Sequence, residues 1–98
     1  MERTINGKKV VFREKLASAD NWDTPALIKE HGEAATRGDF SKAVPLLCRV
    51  VESWEFAGDP SDPAAYGKLD LFSEITPLLA ALNDYVQEKT ANIVPKAP

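Results

Sequence analysis

The sequence is poor in the residue types that build most catalytic and metal sites. It has one histidine, His31, and one cysteine, Cys48, among its 98 residues. A single cysteine excludes an intrachain disulfide and favours a reducing, intracellular setting. Neither a glycine-rich phosphate loop nor a metal-ligand spacing of histidine and cysteine occurs. The sequence therefore predicts no enzymatic activity, no cofactor and no metal. Cys48 is expected to be a small buried hydrophobe, and His31 a polar side chain near a helix C terminus.

An excess of positive charge and long apolar runs are also missing. The chain has 12 basic and 15 acidic residues, mixed along its length, and a net charge of −3. Without a basic stripe to neutralise phosphates, nucleic acid is not an expected partner. The longest apolar runs, around "TPLLAAL", are too short to span a bilayer, and the charged start "MERTINGKKV" does not resemble a signal peptide. We expect a soluble cytoplasmic domain with no membrane partner.

Enough apolar residues are present, 44% of the chain, to form one small core. The Asn6-Gly7 pair is the strongest turn signal, since both residues tolerate the positive φ of a type I′ turn, and β-favouring residues flank it. We expect a short hairpin there. A lone hairpin is barely stable in water, so it must pack on helices.

A first helix is predicted in the segment "SADNWDTPALIKEHGEAATRGDF". Asp23 or Thr24 can cap it, with Pro25 in the first turn, where the missing N–H costs nothing. Gly32 is expected to weaken or end this helix, and Gly38 to end whatever continues.

Two later segments, "SKAVPLLCRVVESW" and "SEITPLLAALNDYV", share a serine followed after three residues by Pro-Leu-Leu. Helical spacing of apolar residues predicts a helix in each, with Pro45 or Pro77 near its first turn. The inward residues of the first would be Ala43, Leu47, Val50 and Trp54. Those of the last would be Leu71, Ile75, Leu78, Leu82 and Val86. The fold class is therefore mainly α, a small helical domain with a short N-terminal β-hairpin, with residues 1–90 as one domain and 91–98 as a flexible tail.

Between these helices lies the connector, Ser53–Asp70, with the sequence "SWEFAGDPSDPAAYGKLD". Turn formation and capping of a short helix by Asp62 explain its acids better than calcium, because each of Asp59 and Asp62 precedes a proline rather than alternating around a glycine. Its aromatic residues have two interpretations. They complete the core, or some are exposed and anchor a partner. We expect Trp54 to pin the connector to the helices and at least one of Phe56 and Tyr66 to be partly exposed. The candidate partner-binding residues are Trp54, Phe56, Tyr66, Leu71 and Phe72.

The block "LLCRVVESWEFAGDPSDPAAYGKLDLFSEITPLLAALNDYV" resembles the small tail assembly chaperones of long-tailed bacteriophages. Such proteins often carry an aliphatic helix ending in "SW", a "GDP" turn, a Y-x-x-L segment and a last helix containing "PL". The matching positions are Ser53 and Trp54, Gly58 to Pro60, Tyr66 and Leu69, and Pro77 and Leu78. The resemblance covers about half of the chain in one block.

This resemblance implies a non-enzymatic protein of the host cytoplasm that coats the long helical tape measure protein until the tail tube polymerises around it. It also implies self-association, and contact with the tail-tube protein is a further expectation. The alternative is another small intracellular binding module, such as a phage-encoded inhibitor or adaptor of one host protein. An enzyme is the least favoured class, since no nucleophile–base or paired-acid constellation is present.

Overall fold

Helices dominate the fold, together with one antiparallel sheet. The computed structural model describes residues 1–91, so the predicted flexible tail falls outside the described residues except for its first position. In chain order the elements are β1 (Glu2–Ile5), β2 (Lys8–Phe12), a 3₁₀ turn (Ser18–Asp20), α1 (Thr24–Thr36), α2 (Ala43–Val50), β3 (Val51–Trp54), α3 (Pro63–Tyr66), a π turn (Leu71–Ile75) and α4 (Thr76–Thr90). The helix-rich domain with an N-terminal hairpin is thus confirmed.

The sheet is larger than the predicted hairpin. Asn6 and Gly7 have the expected positive φ angles of 51° and 76° and join β1 to β2. β3 then pairs antiparallel with β2, which places β2 in the centre of a three-stranded sheet. A β-bulge interrupts this second ladder between Val11 and Phe12.

The prediction that a helix continues to Trp54 is wrong, because α2 ends at Val50 and the chain becomes extended at Val51. Two consecutive β-branched valines tolerate either conformation. A two-stranded hairpin is marginal and gains much from a third strand, so tertiary pairing overrides the local helical periodicity.

The first helix has the predicted start, and it ends before Gly38, as also predicted. It begins at Thr24 with Pro25 in the first turn, passes through Gly32 and ends at Thr36, before Gly38 with its φ of 78°. Asp23 precedes the helix without capping it. Its carboxylate instead accepts two hydrogen bonds from the guanidinium of Arg49 on α2, at 2.6 and 3.1 Å. This forked contact lowers the pKa of Asp23 and ties the start of α1 to α2.

Both Pro-Leu-Leu segments place their proline in the first turn of a helix, as predicted. Before Pro77 the chain makes a π turn, in which the N–H of Ile75 reaches the carbonyl of Asp70 at 2.9 Å. Proline has no N–H to donate and its ring crowds the carbonyl four residues earlier, and a wider turn relieves both problems. The extra residue rotates Leu71 away from the predicted inward stripe of α4.

The core lies between the sheet and the helices. Its fully buried members come from β2, α2, β3 and α4, and Tyr85 on α4 packs its ring 5.4 Å from that of Phe12. The hydroxyl of Tyr85 donates to the carbonyl of Arg13 at 2.8 Å, so its polar end is satisfied. The buried apolar cluster consists of Ile5, Val10, Phe12, Ala43, Leu46, Leu47, Val50, Val51, Phe56, Tyr66, Leu78, Ala81, Leu82 and Tyr85.

Candidate functional site

Three of the five candidate partner-binding residues form one aromatic cluster in the connector. The ring of Trp54 lies 4.8 Å from that of Tyr66 and 5.4 Å from that of Phe56, measured between centroids. The contact with Phe56 is edge-to-face, at 85°. Aromatic pairs at these distances are favourable beyond the area they bury. These contacts gather the connector around Trp54, which also packs against the buried core. That Trp54 pins the connector to the helices stays a prediction.

Hydrogen bonds close the connector around this cluster. The indole N–H of Trp54 donates to the carbonyl of Gly58 at 2.9 Å, and the hydroxyl of Tyr66 donates to that of Pro60 at 2.6 Å. Gly58 has a φ of 89°, and a Cβ at this position would lie 3.0 Å from the Cβ of Ala65. Only glycine fits this turn without strain.

The acids of the connector accept hydrogen bonds from the backbone. Asp59 accepts from the N–H and hydroxyl of Ser61, at 2.9 and 2.8 Å, and Asp62 caps α3 through the N–H of Ala64 at 3.0 Å. Asp70 accepts the N–H and hydroxyl of Ser73, at 2.8 and 2.9 Å. These bonds favour the ionised forms and lower the pKa of Asp59 and of Asp70. The interpretation of these acids as turn and cap residues is confirmed. Within residues 1–91, His, Cys, Asp and Glu side chains form no group of three or more that could hold a metal ion.

The exposure of the candidate residues differs from the expectation. Phe56 is 7% exposed and Tyr66 2% exposed, so the prediction that at least one is partly exposed is wrong. Both rings pack on Trp54, and their burial leaves them no surface for direct contact with a partner. Leu71 and Phe72, by contrast, are 54% and 80% exposed at the π turn. We call them the Leu71–Phe72 pair.

A second apolar surface lies between α1 and α4, and the sequence reasoning missed it. A cavity of about 260 Å³ lies between the C-terminal half of α1 and the middle of α4. A cleft of about 480 Å³ lies toward the start of α1 and the end of α4. The two helices therefore run antiparallel along it, and Ile28 lines both spaces, so we describe them together as the α1/α4 groove. Large exposed aromatics mark its two ends, with Trp22 80% exposed and Phe40 46% exposed.

His31 lines this groove and differs from its prediction. Because α1 continues past Gly32, His31 lies inside the helix rather than at its end, and it is only 7% exposed. Its Nδ1 is buried without a hydrogen-bond partner, whereas buried polar atoms are normally paired. Next to it, a Cβ on Gly32 would meet no atom within 4 Å. An interior helical glycine between two flanking aromatics was the sequence signal that could have indicated the groove.

Cys48 offers little as a nucleophile. It is half-buried rather than fully buried as expected, and it packs against the core. Burial, and then the nearby charges of Asp62 and Asp59, raise the pKa of its thiol. A raised pKa lowers the fraction of thiolate, which is the reactive form.

Comparisons of this chain with protein-family models, with curated proteins and with solved structures gave no match. Across residues 1–91, every helix is too short or too polar to cross a lipid bilayer.

Proposed function

We propose that this chain is a non-enzymatic tail assembly chaperone of a long-tailed phage, which binds the tape measure protein and keeps it soluble in the host cytoplasm during tail assembly. The observation that carries the proposal is the display of four large apolar side chains around a core that is already complete. These side chains are Trp22, Phe40, Leu71 and Phe72. The resemblance of the connector and last helix to such chaperones gives the partner its identity.

The fold does not need these four side chains at the surface. The core around Leu46 and Leu78 is closed to solvent without them. Single exposed apolar residues are common, but an apolar groove with a large exposed aromatic at each end, as Trp22 and Phe40 provide here, is typical of a protein interaction site. Trp and Phe are also among the residues enriched at the centre of such interfaces.

The chemistry of these surfaces suits a helical client. An amphipathic helix buries its apolar stripe in a groove between helices, which is a recurring mode of recognition. The mixed charge of the remaining surface, net −3 over the whole chain, keeps such a complex in solution. Further copies of this chain and the tail-tube protein complete the partners that the resemblance implies.

The compactness of the Leu71–Phe72 pair favours a second candidate function. Two adjacent apolar side chains are exposed at a turn that Asp70 caps, and together they are small enough to fill one pocket of a partner. A phage-encoded inhibitor or adaptor of a single host protein would use such a pair.

Co-expression with the tape measure protein tests the proposal. The chain should raise the soluble fraction of the tape measure protein, and Trp22→Ser combined with Phe72→Ser should lower that gain by about fivefold or more, as expected for loss of interface anchors. Lys68→Ser, an exposed polar change within the connector, is the matched control and should leave the gain intact. No gain with the unaltered chain would contradict the proposal, and stoichiometric capture of one host protein through Phe72 would favour the inhibitor or adaptor.

A further inference from the structure

Gly32 lies inside α1 at a position where the fold itself does not require glycine. Its φ is not in the left-handed region, and no neighbouring atom lies within 4 Å of the place where a Cβ would be. Glycine weakens a helix interior relative to alanine, because it loses more backbone freedom on folding. A glycine that no contact within residues 1–91 explains is suited to the close approach of another backbone.

The surroundings of Gly32 are those of a binding site. The same cavity is lined by three polar residues, His31, Asn83 and Gln87. The rest of the lining is mainly apolar, from Ile28, Ala35, Phe40, Leu79 and Val86. A few polar groups in a mainly apolar concave surface are typical of specific recognition.

Charge is depleted along the groove. Although the chain carries 12 basic and 15 acidic residues, those of residues 1–91 that line the cavity and the cleft include one Lys, Asp, Glu or Arg side chain, Lys89. It lies at the Trp22 end. Charged residues are likewise depleted at the centre of protein interfaces. The complementary surface is therefore an uncharged apolar stripe, with an acidic residue suited only to the Lys89 end.

The length and walls of the groove select a helix rather than an extended segment. It follows α1, whose 13 residues span about 20 Å at the rise of an α-helix. Side chains of α1 and α4 form most of its walls. Because helices use their own backbone groups internally, an extended peptide would find few partners there for its N–H and C=O groups. A bound helix has already formed its backbone hydrogen bonds internally and needs no backbone partners in the groove.

We propose that the α1/α4 groove binds one amphipathic α-helix of a partner protein, with a charge-free apolar stripe of about 13 residues. A small residue of that stripe lies against Gly32, and one uncharged polar side chain meets His31, Asn83 and Gln87. That the helix belongs to the tape measure protein rests on the proposed function. The existence of the groove and the chemistry of its occupant do not depend on that function.

Trp22 provides the readout, because it lines the groove and is one of two tryptophans in the chain. In a Trp54→Phe background, its fluorescence should shift to the blue when a helix covers it. The probes are synthetic peptides that tile the tape measure protein, a designed amphipathic helix with a Leu/Ala stripe, and its scrambled sequence.

Gly32→Leu should fill the groove and weaken binding by about tenfold or more, while the melting temperature stays equal or rises, since leucine is the better helix former. Ala26→Leu is the matched control. Ala26 lies on the same helix, exposed and outside the groove lining, and its change should leave binding intact. A folded variant that loses binding separates this site from a merely structural role.

Three results would overturn the proposal. The first is that no helical probe shifts the fluorescence of Trp22. The second is that Gly32→Leu binds the probes as well as its parent does. The third is that Gly32→Leu converts an oligomer into monomers, which would make a second copy of this chain the occupant. If the designed helix binds but no tape measure peptide does, the groove stands and the proposed function fails. If Gly32→Leu still keeps the full-length tape measure protein soluble, the proposed function stands and this groove is not its site.

Discussion

The connector and the α1/α4 groove use aromatic residues in opposite ways. In the connector, Trp54, Phe56 and Tyr66 face one another, and the two polar ring groups donate to backbone carbonyls. In the groove, Trp22 and Phe40 stand apart at the two ends of α1 and are exposed. The aromatic rings of the connector are packed together with their polar groups hydrogen-bonded, so this region is closed. Those of the groove are exposed to solvent, so this region is open.

The difference lies in the backbone that presents the rings. Prolines and Gly58 fold the connector back on the strand that carries Trp54, so its rings are brought together. Trp22 and Phe40 are separated by a rigid helix of 13 residues and cannot meet. A dense aromatic sequence therefore marks a local core here, whereas isolated aromatics at the ends of a helix mark a surface.

Tyr66→Ala should have the largest effect on the free energy of unfolding. A small effect would contradict the contrast between the closed connector and the open groove. Tyr66 is buried, and it anchors both the ring of Trp54 and the carbonyl of Pro60. We expect a loss of about 3–5 kcal/mol in the free energy of unfolding, as for other large buried aromatics. Urea denaturation measures it. Trp22→Ala, in the groove, should change stability by less than about 0.5 kcal/mol.

Trp54→Ala should cause the second largest loss in the free energy of unfolding. Trp54 is half-buried, so we expect a loss of about 2 kcal/mol, less than for a fully buried ring. Cys48 lies on α2, which packs against α3 of the connector. Cys48 should therefore react slowly with a thiol reagent in the unaltered protein and faster in the variant, as the connector opens. Unchanged melting and labelling would mean that Trp54 does not pin the connector.

Gly32→Ala should stabilise the protein by about 0.5–1 kcal/mol, because the groove leaves room for a methyl group and alanine is the better helix former. Gly58→Ala is the counterpart in the connector. It should destabilise, since its φ is 89° and its new Cβ would press on Ala65. Thermal melting should show a higher melting temperature for Gly32→Ala and a lower one for Gly58→Ala. Shifts in the same direction would contradict the contrast between the open groove and the closed connector.

Acid should have the smallest effect, and part of that effect should come from the connector. The pKa values of Asp59 and Asp70 are held below their ordinary value of 3.8. A group whose pKa is depressed by folding contributes stability that is complete above its unfolded pKa and is lost as the pH falls through the folded value. Melting temperature should therefore fall in acid below that ordinary value, and less steeply in Asp70→Asn. An identical slope in the variant would show that this cap carries no pH dependence.

Local features were predictable from the sequence, and non-local ones were not. The Asn6-Gly7 turn, the first-turn prolines and the Asp62 cap depend on residues next to each other, and all are as predicted. The strand β3 and the groove depend on how distant segments meet. Helical periodicity near Trp54 could not reveal a pairing partner at Val10. Likewise, the rotation of Leu71 depends on how the chain accommodates Pro77.

The pairing of β2 with β3 has a consequence for the order of folding. β1 and β2 close through a two-residue turn, an event of microseconds, whereas Val10 meets Trp54 only after a loop of about 44 residues is closed. Such distant pairings are slow to form. We expect the hairpin to nucleate early and β3, with the connector attached to it, to dock last. A nascent chain would thus complete its sheet only after both α1 and α2 have been synthesised.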